Sequence, residues 1–226
     1  MIISVHIPKC GGTSFRAVLE GIYGKNLWLN YGAMFSPEQV RTDLIPRNTQ
    51  CIHGHFLANT FDELVPQPRL IAWLRHPVER VVSNYYHFLR SPDRRDACCR
   101  ELLDKNLSLE EFAELDWMRN EATRYLAGKP VESFAFVGIL ERFEESVQVF
   151  GSKFGVPVPA EPPRVNANAD RVTASYPLSS QVYEHILALN HRDLIAYDLA
   201  ASLIDCWMVS GSNQLVQWYD GWSKVQ

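Results

Sequence analysis

The first fourteen residues constrain the fold more than any other stretch. Ile2 to Ile7 (IISVHI) is an apolar, β-branched run, too short for a helix, and predicts a buried strand. Pro8 to Ser14 (PKCGGTS) turns on two adjacent glycines. Phe15, Val18, Leu19 and Ile22 then recur at helical spacing. The chain therefore opens as strand, glycine loop, helix.

The alternation continues downstream. Gln50 to His55 (QCIHGH) suits a short strand ending in a tight turn, and Arg69 to Leu74 (RLIAWL) and Phe134 to Leu140 (FAFVGIL) suit buried strands. Val78 to Leu89 and Arg142 to Phe154 have helical spacing. Asp96 to Leu126 reads as two or three short helices, one opened by the capping box of Ser108 and Glu111. Tyr23 to Asn48 reads as loop with one short helix, Ser36 to Leu44, begun by a serine N-cap and Pro37. The four prolines between Pro157 and Pro163 require an extended loop. Two helices follow, Ser179 to Leu189 and Arg192 to Trp207. Trp207, Trp218 and Trp222 are expected to pack the weakly patterned tail onto the body.

Strands alternating with helices predict an α/β fold, a parallel β-sheet flanked by helices. Too little chain follows the proline loop for a second core, so residues 1–226 are expected to form a single domain. Such sheets bind ligands beyond the carboxyl ends of their strands. The glycine loop, the His53/His55 turn and Arg75 each follow a predicted strand and so fall along one edge.

Composition narrows the partners. The formal net charge of −4 leaves no global basic field for nucleic acid. The five cysteines (Cys10, Cys51, Cys98, Cys99, Cys206) are odd in number and lack a CxxC pair, which favours a reducing compartment over a disulfide framework. No apolar stretch approaches 18 residues and no leader pattern opens the chain, so no integral membrane association and a cytoplasmic location are expected.

The glycine loop carries the first chemistry. Glycines let successive N–H groups of Cys10, Gly11, Gly12, Thr13 and Ser14 approach an anion, and the following helix aims its positive end at the same point. Lys9 adds a cation, and Thr13 and Ser14 add hydroxyls. A Walker A loop would place its Lys after the glycines, and no strand ends in an Asp able to hold magnesium. Arg75, leaving a buried strand, can grip a phosphate bidentately, with Ser83 eight residues on in the helix. Arg80 reads as a structural ion pair.

His53 and His55, two residues apart, can present imidazoles to the same side, with Gly54 leaving room for substrate. His6, inside the first strand, reads as a satisfied core residue. His76, His87, His185 and His191 lack metal-ligand spacing, and no metal is expected. Glu141, Glu144 and Glu145 read as acids complementing a helix dipole. Arg90, Arg94, Arg95 and Arg100 read as a solvated basic run that can also greet an anionic acceptor. Trp28, Tyr31, Trp117 and Tyr125 either pack in the core or stack on a sugar.

PKCGGTSF resembles the 5′-phosphosulfate loop of sulfotransferases, and WLRHPVERVVSNYYHF resembles their 3′-phosphate motif. FVGILERFEESV is similar to the strand–helix block of the carbohydrate-type members, and His53-Gly54-His55 to the HGH of the uronyl 2-O-sulfotransferases. The likeness covers residues 2 to about 155. Beyond it, VNAN at 165–168 resembles a loop that closes over the nucleotide.

The resemblance implies a P-loop-NTPase-like sulfotransferase fold and transfer from 3′-phosphoadenosine 5′-phosphosulfate (PAPS), with adenosine 3′,5′-bisphosphate (PAP) as product. It implies Lys9 and the loop at the 5′ end, Arg75 and Ser83 at the 3′-phosphate, and Arg164 and Asn168 as further cofactor contacts. His55 is then the base and His53 orients the acceptor, a hydroxyl of a glycan or small molecule. Two other readings stay open: a P-loop nucleotide kinase or NTPase, and a module that binds PAPS or PAP without turning it over.

Overall fold

The structure is a computed structural model, and it describes residues 1–31, 45–163, 165 and 176–210. Its centre is a five-stranded parallel sheet of β1 (Ile2–Val5), β2 (Leu27–Leu29), β3 (Cys51–Gly54), β4 (Arg69–Leu74) and β5 (Phe136–Ile139), in the order β2-β3-β1-β4-β5. All pairings are parallel. The helices are α1 (Gly12–Tyr23), α2 (Pro77–Arg90), α3 (Ala97–Lys105), α4 (Leu109–Glu114), α5 (Glu121–Tyr125), α6 (Phe143–Phe154), α7 (Ser180–Leu189) and α8 (His191–Ser210).

β1 is central because its residues are buried on both faces, as a parallel sheet covered by helices requires. Val5 is in register with Gly54 on one side and Ala72 on the other. The chain first builds outward to β2 and β3, then crosses β1 to reach β4 and β5. The strand order reverses beside β1, and the carboxyl end of a strand at such a switch point opens a crevice. The loops after β1, β3 and β4 meet there.

Two apolar clusters hold the helices. The first joins the sheet to α1, α6 and α8 through Phe15, Trp73, Phe136 and Phe150, with Trp207 stacked on Phe136. The second, under α2, α4 and α7, contains Val78, Val81, Phe112 and Ile186. Arg80 runs between them fully buried. It pairs with Glu121, donates to the Met118 carbonyl at 2.8 Å and lies 3.9 Å from Asp193, the structural ion pair that its burial demands.

Several boundaries depart from the sequence expectation. β1 stops at Val5, because Pro8 has no N–H to donate and Lys9 takes a left-handed φ of 64°. Leu27–Leu29 forms the edge strand β2 where a loop was expected; three residues are too few to show a period. Gly54 makes room for backbone rather than for substrate: a Cβ there would overlap the Asn30 carbonyl. The expected helix over 36–44 and the tail with Trp218 and Trp222 lie outside the described residues.

Candidate active site

The turn after β1 is wound tightly. Lys9 and Gly11 both have positive φ, 64° and 84°, and the Cys10 amide bonds back to the Ile7 carbonyl at 3.3 Å. Lys9 is a non-glycine residue in the left-handed region, a cost that a surrounding structure has to offset. A Cβ on Gly11 would come within 2.6 Å of Leu140 Cδ1. The Cys10 thiol is buried and pushed up to about 12, so it is a packing group, not a nucleophile.

α1 starts at Gly12 with no side-chain cap and no acid in its first turn. Three other helix starts have side-chain caps: Asp96 caps α3, Ser108 and Glu111 form a capping box on α4, and Ser179 caps α7. At α2, Glu141 accepts from the His76 amide at 3.0 Å and Glu79 lies in the first turn. The start of α1 is uncapped and opens on the crevice, and its orphan amides suit an anion. The Thr13 hydroxyl has no hydrogen-bond partner among the described residues. The Ser14 hydroxyl is engaged with Val165, donating to its carbonyl at 3.1 Å and accepting from its amide at 2.9 Å.

Arg75 follows β4 and is only 7% exposed. It donates to the Lys9 carbonyl at 3.3 Å and pairs with Glu79 at 3.2 Å, and Glu79 also accepts from the Tyr176 amide. Arg75 therefore sits directly against the loop. Lys9 has no carboxylate partner among the described residues. Burial first, then the charges of Arg75 and Arg90, hold its pKa down at about 8. Ser83, His87 and Arg90 share one face of α2 at helical spacing. Burial, then Lys9 and Arg90, lowers His87 as well. Of the basic run, Arg94 pairs with Asp104 and Arg95 with Asp93, both at 2.7 Å, whereas Arg90 has no carboxylate partner among the described residues.

The histidines meet on the other side of β1. His53, in β3, is 1% exposed; its Nδ1 lies 2.9 Å from Ser4 Oγ. Its Nε2 is buried without a hydrogen-bond partner. Burial, then His55, drives its pKa to about 3, against a smaller opposite effect of the Gly12 backbone. His55 stands at the rim, half-buried, and donates from Nδ1 to the His6 carbonyl at 2.7 Å. That bond leaves Nε2 as its basic nitrogen. Burial lowers the His55 pKa below the ordinary imidazole value, and the His6 carbonyl works against that.

From the sequence, His6 reads as a core residue and Tyr31 as either a core residue or a sugar-stacking one; the structure sets both against the histidine pair. The His6 ring lies 5.0 Å from His53 and 4.2 Å from His55, and its Nδ1 is 3.1 Å from the Tyr31 hydroxyl. Tyr31 edges onto His55 at 5.1 Å. The pairing of β1 and of β2 with β3 brings these groups together. Of the other aromatics, Trp28 packs on Phe61, Tyr125 is buried, and Trp117 is exposed beside Arg124. Arg164 and Asn168 lie outside the described residues. Among the described residues, no group of three His, Cys, Asp or Glu is arranged to hold a metal ion, and no helix is long and apolar enough to cross a membrane.

Comparison with known proteins agrees with this architecture. The model of the Sulfotransferase family matches residues 1–198. A crystal structure of a sulfotransferase from Alicyclobacillus acidocaldarius superposes with a TM-score of 0.51 at 17% identity, covering 90% of this chain and 95% of that one. That likeness is one of fold. Mouse sulfotransferase SULT7A1, complexed with PAP, gives a TM-score of 0.40 at 15% identity over 85% of this chain and 65% of that one. No curated protein sequence matches. With the family model spanning most of its length, the chain belongs to the sulfotransferase family.

Proposed function

We propose that the protein moves a sulfuryl group from PAPS to a hydroxyl of a carbohydrate or small-molecule acceptor, with His55 as general base. One observation carries the reading. The Lys9 ammonium is half-buried beside Arg75, without a carboxylate partner among the described residues, at the uncapped start of a helix. Two cations and a row of orphan amides held this close are costly unless an anion joins them. A donor with anionic groups at both its 5′ and 3′ positions fits that arrangement.

PAPS supplies an activated sulfuryl group whose transfer builds negative charge on the leaving 5′-phosphate. Lys9 and the amides of Gly12, Thr13 and Ser14 stabilise that charge from fixed positions. Arg75 and Ser83 take the 3′-phosphate, which sets register and excludes nucleotides lacking it. For Arg75 this means sharing its guanidinium between the phosphate and Glu79. His55, its proton locked at Nδ1, takes the acceptor proton at Nε2. His53, sealed against Ser4, acts through packing on the histidine cluster. Loop and base stand on neighbouring strands, so much of the positioning is complete before substrate binds.

The histidine turn favours a uronyl 2-O-type carbohydrate acceptor over a non-catalytic PAPS-binding module, since a module without turnover has no use for an oriented base. A thermal-shift comparison tests the donor assignment. PAP raises the melting temperature without magnesium, by the amount that its affinity dictates. A shift with ATP and magnesium but none with PAP would return the protein to the nucleotide-kinase reading.

A further inference from the structure

His6 lies buried at the end of β1, between the proposed donor loop and the proposed base. The Cδ2–Nε2 edge of its ring presses on Gly12, the first residue of α1, so closely that a Cβ there would overlap both atoms. Its other nitrogen, Nδ1, is 3.1 Å from the Tyr31 hydroxyl. A phenol O–H is a strong donor and the bare nitrogen of a neutral imidazole a strong acceptor, so this bond is assigned from the Tyr31 O–H to His6 Nδ1. An imidazole that accepts at Nδ1 carries its proton at Nε2. That Nε2 has no hydrogen-bond partner among the described residues, and the residue keeps 8% of its surface exposed. The ring is also neutral: burial, then His55, His53, Arg16 and Lys9, drives its pKa to about 2.

We propose that His6 is a further donor of the site, a neutral imidazole whose Nε2–H hydrogen-bonds the sulfuryl oxygens of a phosphosulfate held at the first turn of α1. The assignment rests on the PAPS reading above and adds a ligand contact to it. No bond forms or breaks at the ring. Its contribution is an uncharged donor that persists at pH values where Lys9 is losing its proton, and it addresses the sulfuryl group, which PAPS has and PAP lacks.

Calorimetric titration with PAPS and with PAP, without acceptor, tests this. Asn at position 6 keeps a polar group near Nδ1 and loses the one at Nε2; Gln reaches the Nε2 position. His6→Asn is expected to weaken PAPS binding about 10- to 100-fold, the scale of one hydrogen bond to a charged group. PAP binding stays at the wild-type level, and His6→Gln recovers most of the PAPS affinity. Tyr31→Phe keeps the imidazole but frees Nδ1 to hold the proton. It is expected to lower PAPS affinity selectively in the same way, and it serves should the position 6 variants not fold. Equal losses for PAPS and PAP, equal losses for Asn and Gln, or no effect in Tyr31→Phe would overturn the assignment, while PAP binding by the wild-type protein would still uphold the PAPS reading. A wild-type protein that does not bind PAP would overturn the PAPS reading and this assignment together.

Discussion

The Nδ1–H of His55 points back at the carbonyl oxygen of His6, 2.7 Å away, across the β1–β3 pairing. A backbone carbonyl accepts only, so the ring proton is fixed at Nδ1 and the lone pair at Nε2. The bond needs no side chain from residue 6, so substitutions there spare it.

The tautomer leads to a pH dependence. Burial lowers the His55 pKa, so the basic form persists below the ordinary imidazole value of about 6.5. The acid limb of kcat/KM is expected below that value. His55→Ala should reduce turnover by about 10²–10⁴-fold, the range for general base catalysis, with PAP binding kept. An acid limb above 6.5, or an active His55→Ala, would remove His55 from the chemistry.

Lys9 brings a limit at high pH. Its pKa is held at about 8, and only its charged form attracts a phosphate. PAP affinity should therefore fall as pH rises through 8, and binding above that pH should take up protons, measurable by calorimetry in buffers of different ionisation enthalpy. Lys9→Ala should slow turnover about 10²–10³-fold, the scale for losing one such donor. A flat affinity between pH 7 and 9.5 would contradict the role.

Arg80 affects folding, not chemistry. It is fully buried, paired with Glu121 and near Asp193, and the Glu121 pKa is raised by burial before Arg80 pulls it back. Arg80→Met leaves those carboxylates without their cation and should cost about 3–5 kcal/mol in urea denaturation. A loss under 1 kcal/mol would show that the pair is dispensable.

Gly12 and Gly21 share α1 and predict opposite outcomes. A Cβ on Gly12 collides with the His6 ring, whereas one on Gly21 meets nothing within 4 Å. Gly12→Ala should destabilise by about 1–3 kcal/mol and weaken PAP binding. Gly21→Ala should stabilise by about 0.5–1 kcal/mol. Matching melting temperatures for the two variants would contradict the packing described.

Where the sequence was readable, the cause was local. Arg69–Leu74 matches its strand because five of its six residues are buried, and the Ser108/Glu111 box marks α4 through its own hydrogen bonds. The crevice edge followed from strands ending where their apolar runs end. What the sequence hid depends on strand order. His6 reads as a core histidine until β1 is paired with β3, which puts it beside His53, His55 and Tyr31. Gly54 reads as space for substrate until the chain after β2 lays the Asn30 carbonyl against it. Glu141 reads as a dipole acid of its own helix, yet it accepts from the His76 amide of a distant segment.

Titrating the purified protein with PAP and, separately, with adenosine 5′-diphosphate isolates the 3′-phosphate. The two share adenosine and a 5′-phosphate, and only PAP has the 3′-phosphate assigned to Arg75 and Ser83. PAP is expected to bind at least about tenfold tighter, the equivalent of 1.4 kcal/mol, and Arg75→Ala to remove this preference. Equal affinities in the wild-type protein, or a preference for PAP that survives Arg75→Ala, would contradict that assignment.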